Sequence, residues 1–216
     1  MKKLLFPALI STAVLVSCGK DKPLTSESND VTTTQDGTVY SIDTLNSKIE
    51  WKGYKVVKSE NTSHFGTIKF ESGNITVKNG KLESGTFVAD VNSLESIDLK
   101  DDTDSKAKLE GHLKSADFFE VEKFPTASYE ITKVTASESG DYNTVLEGNL
   151  TIKGITKPVQ FLANVSVKED GTVAIATQPT DINREDFGVK FAMPVENGLL
   201  KNEVTLQVSI KAIETK

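Results

Sequence analysis

Every second residue near the C-terminus is apolar: Val204, Leu206, Val208, Ile210 and Ala212 alternate with Glu203, Thr205, Gln207, Ser209 and Lys211. A pleated backbone sends successive side chains to opposite faces, so alternation over this length specifies a strand with one buried face and one wet face. Val159, Phe161, Ala163, Val165 and Val167 repeat the pattern, with Gln160, Asn164, Ser166 and Lys168 between them. Leu146, Gly148, Leu150 and Ile152 give a third case, and Lys153-Gly154 turns the chain before Pro158, so these two runs read as a hairpin. Further strands are expected over Lys48–Val57, Ser63–Glu71, Gly73–Lys78, Lys81–Val91 and Thr126–Val134. Turn signals at Ser72-Gly73, Asn79-Gly80, Ser139-Gly140-Asp141 and Asp170-Gly171 separate the elements. One segment, Asp101–Phe119, instead carries helix formers, with Leu109 and Leu113 one turn apart and Asp104 or Ser105 as the expected cap. Gly111 limits it to a short or broken helix. Many short strands with regular turns form a sandwich or an antiparallel barrel, and the span from Val39 to Lys216 suits an all-β barrel of about eight strands with a short embedded helix.

Charge narrows the partners. The chain has 31 acidic against 25 basic residues, a net charge of −6, and Arg184 is its only arginine. Nucleic-acid binding needs basic patches that neutralise phosphates, and a polybasic face is needed to hold anionic lipid, so both are disfavoured. A single cysteine, Cys18, excludes an internal disulfide framework and a thiolate metal cluster.

That cysteine closes a leader. Lys2 and Lys3 precede the apolar run Leu4–Val16, which is too short to span a bilayer but has the length of a signal-peptide core. Leu15-Val16-Ser17-Cys18 has the form of a bacterial lipobox, in which cleavage before the cysteine frees an N-terminus for acylation. Residues 1–17 are therefore expected as a lipoprotein signal peptide, Cys18 as the lipidated residue, and residues 18–38, rich in Ser, Thr, Asn and Asp, as a flexible tether. Residues 39–216 form the folded domain. Gly19 rather than aspartate follows the cysteine, which favours the outer membrane facing the periplasm, with surface exposure as the other placement.

No phosphate loop, zinc-protease motif or serine elbow occurs, and no catalytic residue, metal or cofactor is expected. His64 and His112 would need a carboxylate such as Asp102 or Glu110 to hold a metal; a capping or backbone-bonding role is the simpler expectation. Asp98, Asp101, Asp102 and Asp104 lack the spacing of a calcium loop. Arg184, in Ile182-Asn183-Arg184-Glu185-Asp186-Phe187-Gly188, is expected to pin a barrel-closing turn through Asp186 or another acid rather than to clamp an anion. The aromatics Trp51, Phe65, Phe70, Phe118, Phe119, Phe161, Phe187 and Phe191 are spread over many elements. An eight-stranded barrel either just fills with such side chains or holds one apolar ligand.

Several segments together resemble the YceI-like family of lipid (polyisoprenoid)-binding proteins. They are Tyr40-Ser41-Ile42-Asp43, Ile49-Glu50-Trp51-Lys52-Gly53, His64-Phe65-Gly66-Thr67-Ile68-Lys69-Phe70, and Leu109 to Phe119 followed by Glu120–Phe124 and Pro125. Leu146 to Gly154 and Arg184 with Phe187-Gly188 complete the set. Lys108-Leu109-Glu110-Gly111 departs from the family, in which many members carry Arg-Asp there, and many members lack a lipobox. The resemblance implies a lipocalin-like extended antiparallel barrel around an elongated apolar pocket, without catalytic residues. The expected function is a membrane-anchored binding protein for a long apolar, polyisoprenoid-like lipid, acting as carrier or sensor. The alternatives are a structural or interaction lipoprotein with a filled barrel, and a metal or redox partner using His64 and His112. By strand phase, Trp51, Phe161, Leu206 and Ile210 are expected to line the pocket; Phe65, Phe70, Phe118 and Phe119, carried by family-like segments, are expected to line it or plug one end. The sequence specifies no oligomeric state, a dimer included.

Overall fold

A computed structural model describes residues 25–215 except 139, 195 and 197. The leader and Cys18 lie outside the described residues. In chain order the elements are β1 (Thr38–Ile42), β2 (Lys48–Val57), β3 (Glu60–Lys78), β4 (Lys81–Ser96), helix α1 (Thr103–Lys114), β5 (Thr126–Ala136) and β6 (Thr144–Ile152). Then come β7 (Ile155–Val167), β8 (Thr172–Thr177), β9 (Thr180–Asn183), a 3-10 turn (Arg184–Phe187) and β10 (Gly198–Glu214). Strands β2 to β8 pair in sequence, and β10 bonds both β8 and β2, which closes a ring of eight antiparallel strands. β1 bridges β10 and β3, and β9 adds to the upper half of β10.

One end of the ring is packed around the strand β1. There Tyr40, Ile42, Ile75, Val77, Leu82, Val173 and Ala212 are all buried in one cluster. The other end carries α1, the loop that follows it and the β6–β7 hairpin, whose Lys153-Gly154 turn has positive φ at both residues. Lys153 Nζ donates to the Phe118 carbonyl at 2.7 Å, so the hairpin tip is fastened to the loop after α1.

The sequence expectations need four corrections. Ser72-Gly73 is not a turn. β3 runs through it, and the register slips against β4 between Phe70 and Ser72. That bulge moves the inward phase from Phe70 to Ile75 and Val77, and a slipped alternation reads in sequence as a strand break. The helix is capped by Asp102, not Asp104 or Ser105: its side chain accepts from the Ser105 N–H at 3.0 Å. β8 and β9 are strands that no sequence signal announced.

The fourth correction concerns the tether. Residues 26–36 lie along the outer wall as a strap. Ser26 Oγ accepts from the Thr156 N–H (3.0 Å) and the Glu27 N–H donates to the Thr156 carbonyl (2.8 Å). Asn29 exchanges two bonds with the Asn149 side chain (2.8 and 3.0 Å). Thr32 N–H reaches the Thr132 carbonyl (2.9 Å), and Gln35 accepts from Thr76 Oγ1 (3.3 Å). The strap thus crosses β7, β6, β5 and β3 before entering β1. Apolar residues were too few to predict its docking, but backbone and amide hydrogen bonds hold it.

Candidate functional site

Inward alternation leaves a hollow rather than a filled centre. Ile49, Trp51 and Gly53 of β2 lie beside Val208, Leu206 and Val204 of β10 and next to Phe70 of β3, with Phe87, Leu146 and Phe161 farther round the ring. The cavity they line has a volume of about 180 Å³. Its floor is the packed end described above. Its upper wall, toward the end bearing α1, is Leu94, Leu113, Phe119, Ile152, Ile182 and Phe187. A Cβ built on Gly53 would meet nothing within 4 Å, which marks free space at this level of the wall.

The polar groups on the wall are almost all committed. The Tyr129 hydroxyl lies between the Leu146 and Val159 carbonyls (3.1 and 3.0 Å), and burial pushes it well above the ordinary tyrosine range. Gly148 makes room for it: a Cβ there would sit 2.3 Å from the Tyr129 ring. Arg184 is 7% exposed. Its Nε donates to the Lys201 carbonyl (3.1 Å), Nη1 to the Val189 carbonyl (2.5 Å) and Nη2 to Asn202 Oδ1 (3.1 Å). Burial lowers its pKa, against the pull of Glu185 at 3.9 Å. The expected ion pair falls on Glu185 rather than Asp186, which accepts from Asn183, and the fork itself is directed mainly at carbonyls. Trp51 Nε1–H is buried with no protein partner, at a typical cost of about 1–3 kcal/mol.

Of the eight expected lining residues, the structure gathers Trp51, Phe70, Phe119, Phe161, Leu206 and Ile210 on the cavity wall. Phe118 is not on that wall; it packs tilted against Phe191 (5.1 Å) and edge-to-face with His112 (5.0 Å) beside α1. Phe65 is misplaced by the expectation: it is 44% exposed on the outer face. It pairs with Lys52, one step out of phase with Trp51. Gly53, Phe87, Leu94 and Tyr129 were missed. Only the inward phase shared by Gly53 and Trp51 signalled any of them.

The two histidines are not assembled into one centre. His64 Nδ1 meets Asp98 Oδ2 at 2.7 Å and its Nε2 meets Lys55 Nζ at 3.0 Å, while His112 lies edge-to-face with Phe191 at 4.6 Å. Asp102 caps α1 and Glu110 accepts from the Ser96 N–H (2.7 Å), so neither named carboxylate joins them. Among the described residues no group of three metal-ligating side chains forms.

Asp98 collects three donors: His64, Ser96 Oγ (2.8 Å) and the Phe65 N–H (3.0 Å). Burial favours its protonated form, but the Phe65 N–H, His64 and Ser96 together outweigh burial and hold the carboxyl below its ordinary 3.8. A carboxylate depressed in the folded state contributes stability that is intact above the unfolded value and is lost as pH falls through the folded one. Asp98→Asn is therefore expected to flatten the acid limb of a Tm-against-pH profile below about pH 4; an unchanged limb would remove Asp98 from that account.

The YceI-like domain profile matches residues 40–212. A UPF0312 protein of Shewanella baltica is 27% identical over 217 residues, covering 99% of each chain. One from Pseudomonas putida is 30% identical over 178 residues, 78% of this chain and 81% of the relative. Among solved structures, Burkholderia cenocepacia BcnA superposes with a TM-score of 0.62 at 21% identity, over 79% of this chain and 98% of BcnA. A polyisoprenoid-binding domain from Saccharophagus degradans, implicated in plant cell wall breakdown, gives 0.55 at 13% identity, over 82% and 99%.

Proposed function

The chain belongs to the YceI-like family, and we propose that it is a membrane-anchored binding protein, not an enzyme, that holds a long polyisoprenoid-like lipid inside its barrel as carrier or sensor. The observation that carries this reading is the cavity itself: a hollow of about 180 Å³ with apolar walls, inside the barrel above its packed floor. Each Å² of hydrocarbon moved from water into such a space gains about 25 cal/mol before association and ordering costs. With Tyr129 and Arg184 tied to protein acceptors, the wall offers shape rather than charge, so selectivity follows from length and bends. The related fold of a polyisoprenoid-binding domain supports the lipid class. The lipobox at Leu15–Cys18 supports acylation, and Gly19 after it supports an outer-membrane, periplasm-facing placement.

Native mass spectrometry of the protein purified from its own host tests the reading. A prenyl- or acyl-lipid mass released on activation is expected, together with a rise in Tm when a prenyl lipid is added to emptied protein. A barrel that is consistently empty and gains no Tm from prenyl lipids would defeat it.

A further inference from the structure

We propose that Phe87 is the depth stop of the cavity and sets the length of apolar chain that the barrel accepts. The inference rests on the lipid-binding reading above and adds the residue that decides which chain lengths fit.

The wall between β3 and β4 is a column of cross-strand pairs, and paired residues present their side chains on the same face. From the upper level downward the pairs are Phe70 with Ala89, Gly73 with Phe87, Ile75 with Gly85 and Val77 with Leu82. Phe70, Phe87 and Ala89 line the cavity, whereas Ile75, Val77 and Leu82 belong to the packed floor. Phe87 is a member of both sets and is buried. It is the lowest residue of this column on the cavity wall.

Two missing side chains account for the position of its ring. A Cβ built on Gly73 would stand 3.0 Å from Phe87 Cδ1 and 3.0 Å from Ile42 Cδ1. A Cβ built on Gly85 would stand 2.9 Å from Phe87 Cζ, and 3.1 Å from both Ile75 Cγ2 and Ile131 Cδ1. The ring therefore lies against bare backbone at both glycines, with its tip one level nearer the floor than its own backbone. It fills the notch between the hollow and the floor residues Ile42 and Ile75. Phe70 packs tilted against it, with 6.2 Å between ring centres.

A chain pushed into the hollow meets this ring where the next level of wall would begin. Shortening the side chain empties the notch, and neither glycine has a side chain to refill it. The hollow would then deepen by one level, two residues of strand or about 7 Å. Phe161, which also borders both cavity and floor, stands edge-on to Tyr129 instead (5.3 Å).

The test titrates the full chain with straight-chain alkanols lengthened in two-carbon steps, read by displacement of a fluorescent fatty-acid probe. Affinity is expected to rise by a near-constant factor per step until the chain reaches the stop, and then to level off. Phe87→Ala should move the levelling point by about four carbons, and the milder Phe87→Leu by about two. Phe161→Leu should change affinity for all lengths alike and leave the levelling point in place. A melting curve accompanies each variant: Phe87→Ala should melt lower and regain most with alkanols long enough to fill the notch. An unmoved levelling point in folded Phe87→Leu, or an equal shift in Phe161→Leu, overturns the stop while leaving lipid binding intact. A parent protein that takes up no alkanol of any length overturns the lipid-binding reading and the stop with it.

Discussion

Gly53→Phe is expected to weaken uptake of a long prenyl chain by close to a hundredfold while leaving the melting temperature at or above that of the parent. Gly53 lines the cavity on β2, its φ is ordinary for any residue, and the space beyond it is empty. A benzyl group there would occupy room that the ligand otherwise takes. Excluding about 100 Å² of ligand hydrocarbon costs roughly 2.5 kcal/mol, which is nearly two decades in affinity. The same ring buries itself on Trp51 and Leu206, so the fold should lose nothing. The contrast with Leu206→Gln is deliberate, since that change would weaken both binding and folding and identify neither. Titration with a fluorescent prenyl probe, read beside a melting curve, checks the prediction. Undiminished affinity in a folded variant would place the ligand elsewhere.

Arg184→Ala is expected to remove about 3–5 kcal/mol of stability, a large share of what a domain of this kind possesses. The guanidinium satisfies two carbonyls and one side-chain amide while itself buried, and its removal strands all three. These bonds join the 3-10 turn to the segment entering β10 and to Val189, so the ring's upper wall depends on one side chain. Arg184→Lys should recover only part of the loss, because an ammonium cannot span the three acceptors of a planar fork. Urea denaturation with an unchanged m-value reads the difference. A loss below about 1 kcal/mol would mean that water satisfies these groups equally well.

The barrel was legible in the sequence wherever one phase runs unbroken. β7, and β10 from Val204 onward, hold their register unbroken, and Trp51, Phe161, Leu206 and Ile210 lie on the cavity wall where that phase puts them. Phe65 carried a readable warning: five residues separate it from Phe70, and an odd spacing places two strand residues on opposite faces. The slip at Phe70–Ser72 was not readable, because a bulge and a turn both present as broken alternation around Ser-Gly. β8 buries Val173, Ile175 and Thr177 in alternation, but its outward residues include Ala174 and Ala176, so the polar contrast that marks a strand is missing; β9 has only four residues. The strap was invisible for another reason. Its contacts are polar and distant in sequence, such as Asn29 with Asn149, and polar composition alone gives the same reading for a loop and for a docked segment. That the interior is hollow also escaped the sequence, since whether facing side chains meet depends on barrel diameter rather than on any residue's identity.

The packed floor under Tyr40, Ile42, Val77 and Ala212 turns the hollow into a sleeve sealed at one end. On the proposed function, a lipid threaded into such a sleeve would go in tail first and withdraw by the same path, with any polar head left at the rim. Loading and unloading are then one motion run in two directions. Whatever meets the rim, whether bilayer or acceptor, governs how long the passenger stays.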